Sequence, residues 1–163
     1  MKHHLAQLNI ARLKEPLDSP LLADFVANLD RINALAERSP GFVWRLETEE
    51  GDATAIRPFG PEYIVNLSVW EDIASLHAFV YRSAHAGIMS RRREWFERMG
   101  EAWQVLWWTE AGRLPTVTEA RERLEHLRRH GPTPEAFTFR KAWPAPGAAP
   151  DTALPGLDEP CPA

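Results

Sequence analysis

Asn66, Trp70 and His85 are the residues of this chain whose types and spacing can do chemistry together. Residues 63–70, YIVNLSVW, alternate: Tyr63, Val65, Leu67 and Val69 point one way, Ile64, Asn66, Ser68 and Trp70 the other. On a strand, Asn66 and Trp70 share a face about 13 Å apart. An amide so placed can steady a developing oxyanion, while an indole can donate to the same anion or stack on an aromatic substrate. His85 follows an apolar helical run and a short break. A histidine at such a junction can be a proton shuttle, a hydrogen-bond donor or an axial metal ligand. Each residue also has a plain structural reading: an asparagine satisfied by backbone, a core tryptophan, a helix-cap histidine.

Arg91, Arg92 and Arg93, with Arg82 and Arg98, form the dense basic patch, partly offset by Glu94 and Glu97. Consecutive helical residues point in different directions, so one or two of the three can face a cavity while the rest form a solvated face. An arginine there can meet a carboxylate or phenolate. Tyr81, Trp44 and Trp107 complete the expected substrate-binding set. His126 and His130 stand at i, i+4 but are flanked by Arg128 and Arg129, and read as surface. There is no Gly-rich phosphate loop, HExxH, nucleophile elbow or DxDxDG loop, and no metal site is expected.

The elements that must position these groups follow from periodicity. His3–Ile10 alternates weakly and reads as the first strand. Ser19-Pro20 opens a helix running to about Arg38, with Ser19 as N-cap and Leu22, Phe25, Val26, Leu29, Ile32 and Ala36 as its apolar stripe. Ser39-Pro40-Gly41 stops it. Phe42–Glu47 is a second strand, with Phe42, Trp44 and Leu46 on one face. A long polar connection, residues 48–62, leads to the third strand. Glu71 and Asp72 then place negative charge at a helix start, and Ile73, Leu76, Phe79 and Val80 form its buried side. Ala102–Thr109 is a fourth strand, apolar on both faces. Thr116-Val117-Thr118-Glu119 is a capping box for a helix ending at Gly131, with Ala120, Leu124 and Leu127 as a narrow stripe. Phe137-Thr138-Phe139 is a short strand that can pair with a sheet edge, its own or a partner's.

Strand, helix, strand, strand, helix, strand is the split βαβ order of an α+β, ferredoxin-like antiparallel sheet with helices on one face, here followed by a C-terminal helix. Strands apolar on both faces require cover for the second face, and a second copy of the chain is the simplest cover, so a homodimer is expected. Residues 1–143 form the expected domain, and residues 144–163 a flexible tail rich in proline and alanine.

The chain has 163 residues, 44% hydrophobic and 26% charged, which fits one soluble domain. A net charge of −4 gives no reason to expect nucleic acid. One cysteine, Cys161, rules out an intramolecular disulfide and a cysteine metal cage. No apolar stretch reaches the length of a membrane span, and the N-terminal residues are too polar for a signal peptide, so a cytoplasmic protein is expected. Seven tryptophans are many for this length, and several are expected to line a cavity or interface.

The stretch NLSVWEDIASLHAFVYRSAHAGIMSRRREWF, then VLWW and RLEHLRRHGPTPEAFTF, resembles the DUF3291 family over about residues 3–140. That family resembles in turn the dimeric α/β-barrel superfamily, which includes the antibiotic biosynthesis monooxygenases. The resemblance implies a small-molecule enzyme acting on an apolar, aromatic or polyketide-like anionic substrate by oxygenase-like chemistry without a cofactor. Asn66 and Trp70 would hold the substrate anion. The alternative it implies is a non-catalytic ligand-binding dimer, or a haem-binding one with His85 as the iron ligand.

Overall fold

The computed structural model describes residues 2–48, 51, 54–83 and 85–148. Its middle strand, β1 (His3–Arg12), pairs antiparallel with β3 (Tyr63–Trp70) on one side and with β4 (Gln104–Glu110) on the other. β2 (Phe42–Arg45) pairs antiparallel with the far side of β3, giving the order β2-β3-β1-β4. A 3₁₀ turn at Pro20–Leu22 leads into α1 (Ala23–Arg38). After β3 come α2 (Ile73–Arg82), α3 (His85–Ser90) and the single turn α4 (Arg92–Trp95); α5 (Val117–His130) follows β4. This is an α+β, ferredoxin-like sheet.

Alternation assigns the two faces. Ala6, Leu8, Ile10, Val65, Leu67, Val69, Val105 and Trp107 form one apolar face, buried together with Ala120, Leu124 and Leu127 of α5. On the opposite face Leu5, Trp70 and Leu106 pack with Ile73, Leu76, Phe79 and Val80 of α2. The second face thus carries the chain's own C-terminal helix over β1 and β4, and covering that region does not need a second copy. The outer edge of β4 meets the chain itself at one bridge, where Phe137 and Leu106 exchange two backbone hydrogen bonds of 2.8 Å. Of the expected tail, residues 149–163 lie outside the described residues, as does Ala84.

The helix ends show which local signals act. Asp72 is the N-cap of α2, its carboxylate accepting from the Ser75 N–H at 2.8 Å. Thr116 caps α5 by accepting from the Glu119 N–H at 3.0 Å. Glu119 does not reach back as a capping box would; its carboxylate pairs with Arg113 at 3.1 Å, a stronger charge-assisted partner. Ser19 precedes the 3₁₀ turn but makes no side-chain cap. Gly41 turns the chain from α1 into β2 at φ 84°, and its carbonyl accepts from the Glu71 N–H at 2.7 Å. A Cβ there would collide with the Ser75 side chain. Gly41→Ala should therefore cost about 1–3 kcal/mol from the backbone conformation alone, and more from the collision, measured by denaturant unfolding.

Two departures from simple periodicity shape the interior. A bulge between Phe42 and Trp44 breaks the alternation of β2. Phe42 then packs with Trp70 on the α2 side, while Trp44 and Leu46 pack against the α5-covered face. Arg45, paired in register with Ser68, is left on the helix side. The second departure is α1. Within it only Ala36 is buried, and Val26 is 42% exposed. Its stripe packs towards the two ends, Phe25 on Trp95 and Phe96, and Ile32, Leu35 and Ala36 on the α2 side of the sheet, while Leu29 between them is partly exposed.

Candidate functional site

The gap under α1 is a cavity of about 150 Å³. Phe25, Leu29 and Ile32 of α1 and Ile88, Met89, Phe96 and Trp103 opposite make its apolar wall. A smaller cavity of about 60 Å³ beside it is lined by Gln7, Asn9, Asn33, Asn66, Ser68 and Gln104 among others. Asn9, Ile32, Asn33, Arg45, Asn66 and His85 border both. Apolar walls with a few convergent polar groups are the usual make-up of a small-molecule site.

The polar groups are held by one another across the sheet. Register pairs Gln7 with Ser68 and Asn9 with both Asn66 and Gln104. Gln7, 2% exposed, donates from Nε2 to Asn66 Oδ1 at 2.5 Å and to Ser68 Oγ at 2.8 Å. Its Oε1 accepts from Asn9 Nδ2 at 3.2 Å. They orient the three amides as one network, and Gln7 Nε2 also lies 3.4 Å from the Asn66 backbone carbonyl, which fits a donor at that end. Asn66 presents Oδ1 to Gln7, and its NH₂ is left without a protein partner among the described residues, on an exposed residue of the cavity wall. Asn66 is therefore a directed donor rather than a satisfied core amide.

His85 opens α3, its backbone N–H donating to Ser83 Oγ at 3.1 Å. The ring lies 4.9 Å from that of Phe79, and Nδ1 sits 3.3 Å from the Val80 carbonyl. Burial lowers the imidazole pKa below 6.5 and outweighs the Val80 carbonyl, which raises it. The ring is thus neutral near pH 7, with Nδ1–H donated to Val80 and Nε2 left as an unprotonated acceptor.

Trp70 borders the smaller cavity but is 1% exposed, and its indole N–H already donates to Ser68 Oγ at 2.9 Å. Its ring is stacked on Phe79 at 5.1 Å and meets Phe42 edge-on at 5.4 Å. It is a wall, not a free donor. Arg92 borders the larger cavity, with its guanidinium 4.0 Å from the centre of the Trp103 ring. Arg91 turns away, joining α4 to α1 through Asp24 at 2.9 Å and pairing with Glu94 at 2.8 Å. Arg93 is exposed and does not border either cavity. Tyr81 packs on His77 and Phe139, and Trp44 and Trp107 lie on the α5-covered face, all away from the cavities. Of the seven tryptophans, Trp103 and Trp70 border them.

Arg45, Gln7, Asn9, Asn33 and Gln104 complete the site without having been singled out from sequence. The i, i+2 pair Gln7 and Asn9 on the first strand was the available signal, since two amides on one strand face need partners. Arg45 is 12% exposed and held by Glu37 at 2.8 Å and Glu47 at 3.0 Å.

A model of one protein family matches residues 4–153, and its description is a domain of unknown function, DUF3291. The chain belongs to the DUF3291 family. No curated protein matches the DUF3291 chain. Solved structures similar to it include a protein of unknown function from Nitrosomonas europaea, 19% identical, covering 70% of this chain and 96% of that one, with a TM-score of 0.43. They also include SnoaB, a cofactor-independent oxygenase from Streptomyces nogalater, 16% identical, covering 73% of this chain and 100% of that one, with a TM-score of 0.43.

Haem was one ligand weighed for the DUF3291 chain, with His85 on the iron. The larger cavity, about 150 Å³, is well below the roughly 300–1,000 Å³ of sites for drug-sized ligands, so it would not enclose a whole tetrapyrrole. Among the described residues no three His, Cys, Asp or Glu side chains group as metal ligands, and no helix is long and apolar enough to cross a membrane.

Proposed function

We propose that the cleft under α1 is the active site of a small-molecule enzyme that ionises an aromatic hydroxyl or hydroxy-ketone, as cofactor-free oxygenase-like chemistry requires. The ring would lie against Phe25, Leu29, Ile88 and Trp103. A cavity near 150 Å³ is the size that admits one benzene-like ring, so the substrate is one ring with its substituents or part of a larger molecule reaching solvent. His85 Nε2 would take the proton, and the oxygen left negative would accept from the Asn66 NH₂. The observation that carries this reading is that a histidine with Nδ1 at the Val80 carbonyl and an asparagine whose NH₂ has no partner among the described residues border the same two cavities.

Nitrophenol tests the anion half of the proposal, because its ionised form is coloured. Bound nitrophenol should ionise at lower pH than free nitrophenol. Asn66→Ala should weaken binding of the phenolate by about tenfold or more, the usual worth of a hydrogen bond to a charged group, with binding of the neutral phenol little changed. Equal loss for both forms would remove the anion-stabilising role of Asn66.

A further inference from the structure

We infer that the smaller cavity is a specificity subsite for a neutral substituent that both donates and accepts hydrogen bonds, a primary carboxamide being the simplest, next to the ring's hydroxyl. This inference rests on the proposed use of the larger cavity for the ring. The smaller cavity, about 60 Å³, has room for a group of a few heavy atoms. Side-chain amides crowd its wall. The Asn66 NH₂ offers donors; Asn9, its Nδ2 given to Gln7, offers Oδ1 as an acceptor. Asn33 and Gln104 make no side-chain hydrogen bond among the described residues and can offer both.

These amides still reach solvent, so their unused capacity becomes costly only when a ligand displaces that solvent without meeting them, and several facing one small space favour one occupant that pairs with them. Its charge is set by what surrounds it. Burial favours the neutral form of His85, and the Arg45 guanidinium is matched by Glu37 and Glu47, so among the described residues no unbalanced cation faces this pocket to favour a carboxylate. Donors and acceptors in the same wall favour a group that carries both. A substituent lacking them leaves the amides unpaired on binding, and sites of this kind discriminate strongly against such analogues.

Phenol, salicylamide and salicylate test this with the wild-type chain by titration calorimetry. Salicylamide should bind at least about tenfold more tightly than phenol, the worth of one otherwise unpaired buried polar group, and more tightly than salicylate. In Gln104→Leu the salicylamide advantage should shrink while phenol affinity holds, since Gln104 borders the smaller cavity and not the larger. Equal affinity for phenol and salicylamide would overturn the subsite, and so would salicylate binding most tightly. If none of the three binds, the aromatic reading of the larger cavity falls, and the subsite with it. Binding of phenol with no gain for salicylamide overturns the subsite alone.

Discussion

His85→Ala should slow turnover of an ionisable aromatic hydroxy-ketone by about 10²- to 10⁴-fold, the usual contribution of a positioned general base. Oxygen uptake would measure it. An unchanged rate would remove His85 from the chemistry. The pH profile is a second, independent check. Burial lowers the His85 pKa, so the base stays unprotonated down to a pH below 6.5, and the acid limb of the rate should lie below that value. A limb above 6.5 would contradict the buried, neutral imidazole. Stability carries the same signature. As pH falls below 6.5 the unfolded chain takes up this proton first, so stability declines until the folded protein also protonates. His85→Ala should remove that part of the decline, which an assay of activity alone would not detect.

Leu124→Ala should destabilise the fold by about 2–5 kcal/mol, a large part of the stability of a domain this size. Leu124 is fully buried, midway between Ala120 and Leu127 on the stripe of α5 that covers Leu8, Val105 and Trp107. The truncation leaves a void over the middle of the sheet and loosens the element that covers that face. Urea midpoints would give the loss, and size-exclusion chromatography should show larger species before unfolding is complete. A loss below about 1 kcal/mol would mean that α5 is not packed there, because surface substitutions fall in that range. Asn9 and Asn66 at the cavities stand on the opposite face of the sheet, so ligand binding by the folded fraction should be kept.

The strands, most helix starts and the two faces of the sheet were legible because they rest on local signals. The alternation of Tyr63–Trp70, the cap at Asp72 and the stripe of α5 each need only a few neighbouring residues. The shared placement of Asn66 and His85 at one cavity was also within reach, since strand and helix follow each other in the chain. What periodicity missed depends on distant partners. It cannot see the bulge at Phe42–Trp44, which decides that Arg45 meets the cavity, nor the register that sets Gln7 against Ser68. It marked the α1 stripe but not its use, because Phe25, Leu29 and Ile32 look the same whether they meet a sheet or a ligand. Arg91 was open to either role until Asp24, far back in sequence, proved to be its partner.

The middle strand is also the first to be made, and both of its neighbours come much later in the chain. Long-range pairing of this kind makes assembly slow, because distant segments must be brought together before any ladder rewards it. A nascent chain halted before Gln104 would leave one rim of β1 unpaired, and the hydrocarbon of Leu8 and Val65 would wait longer still for residues 117–130. Such a ribosome-bound fragment is a natural client for chaperones that shield greasy strands until the rest of the message has been read.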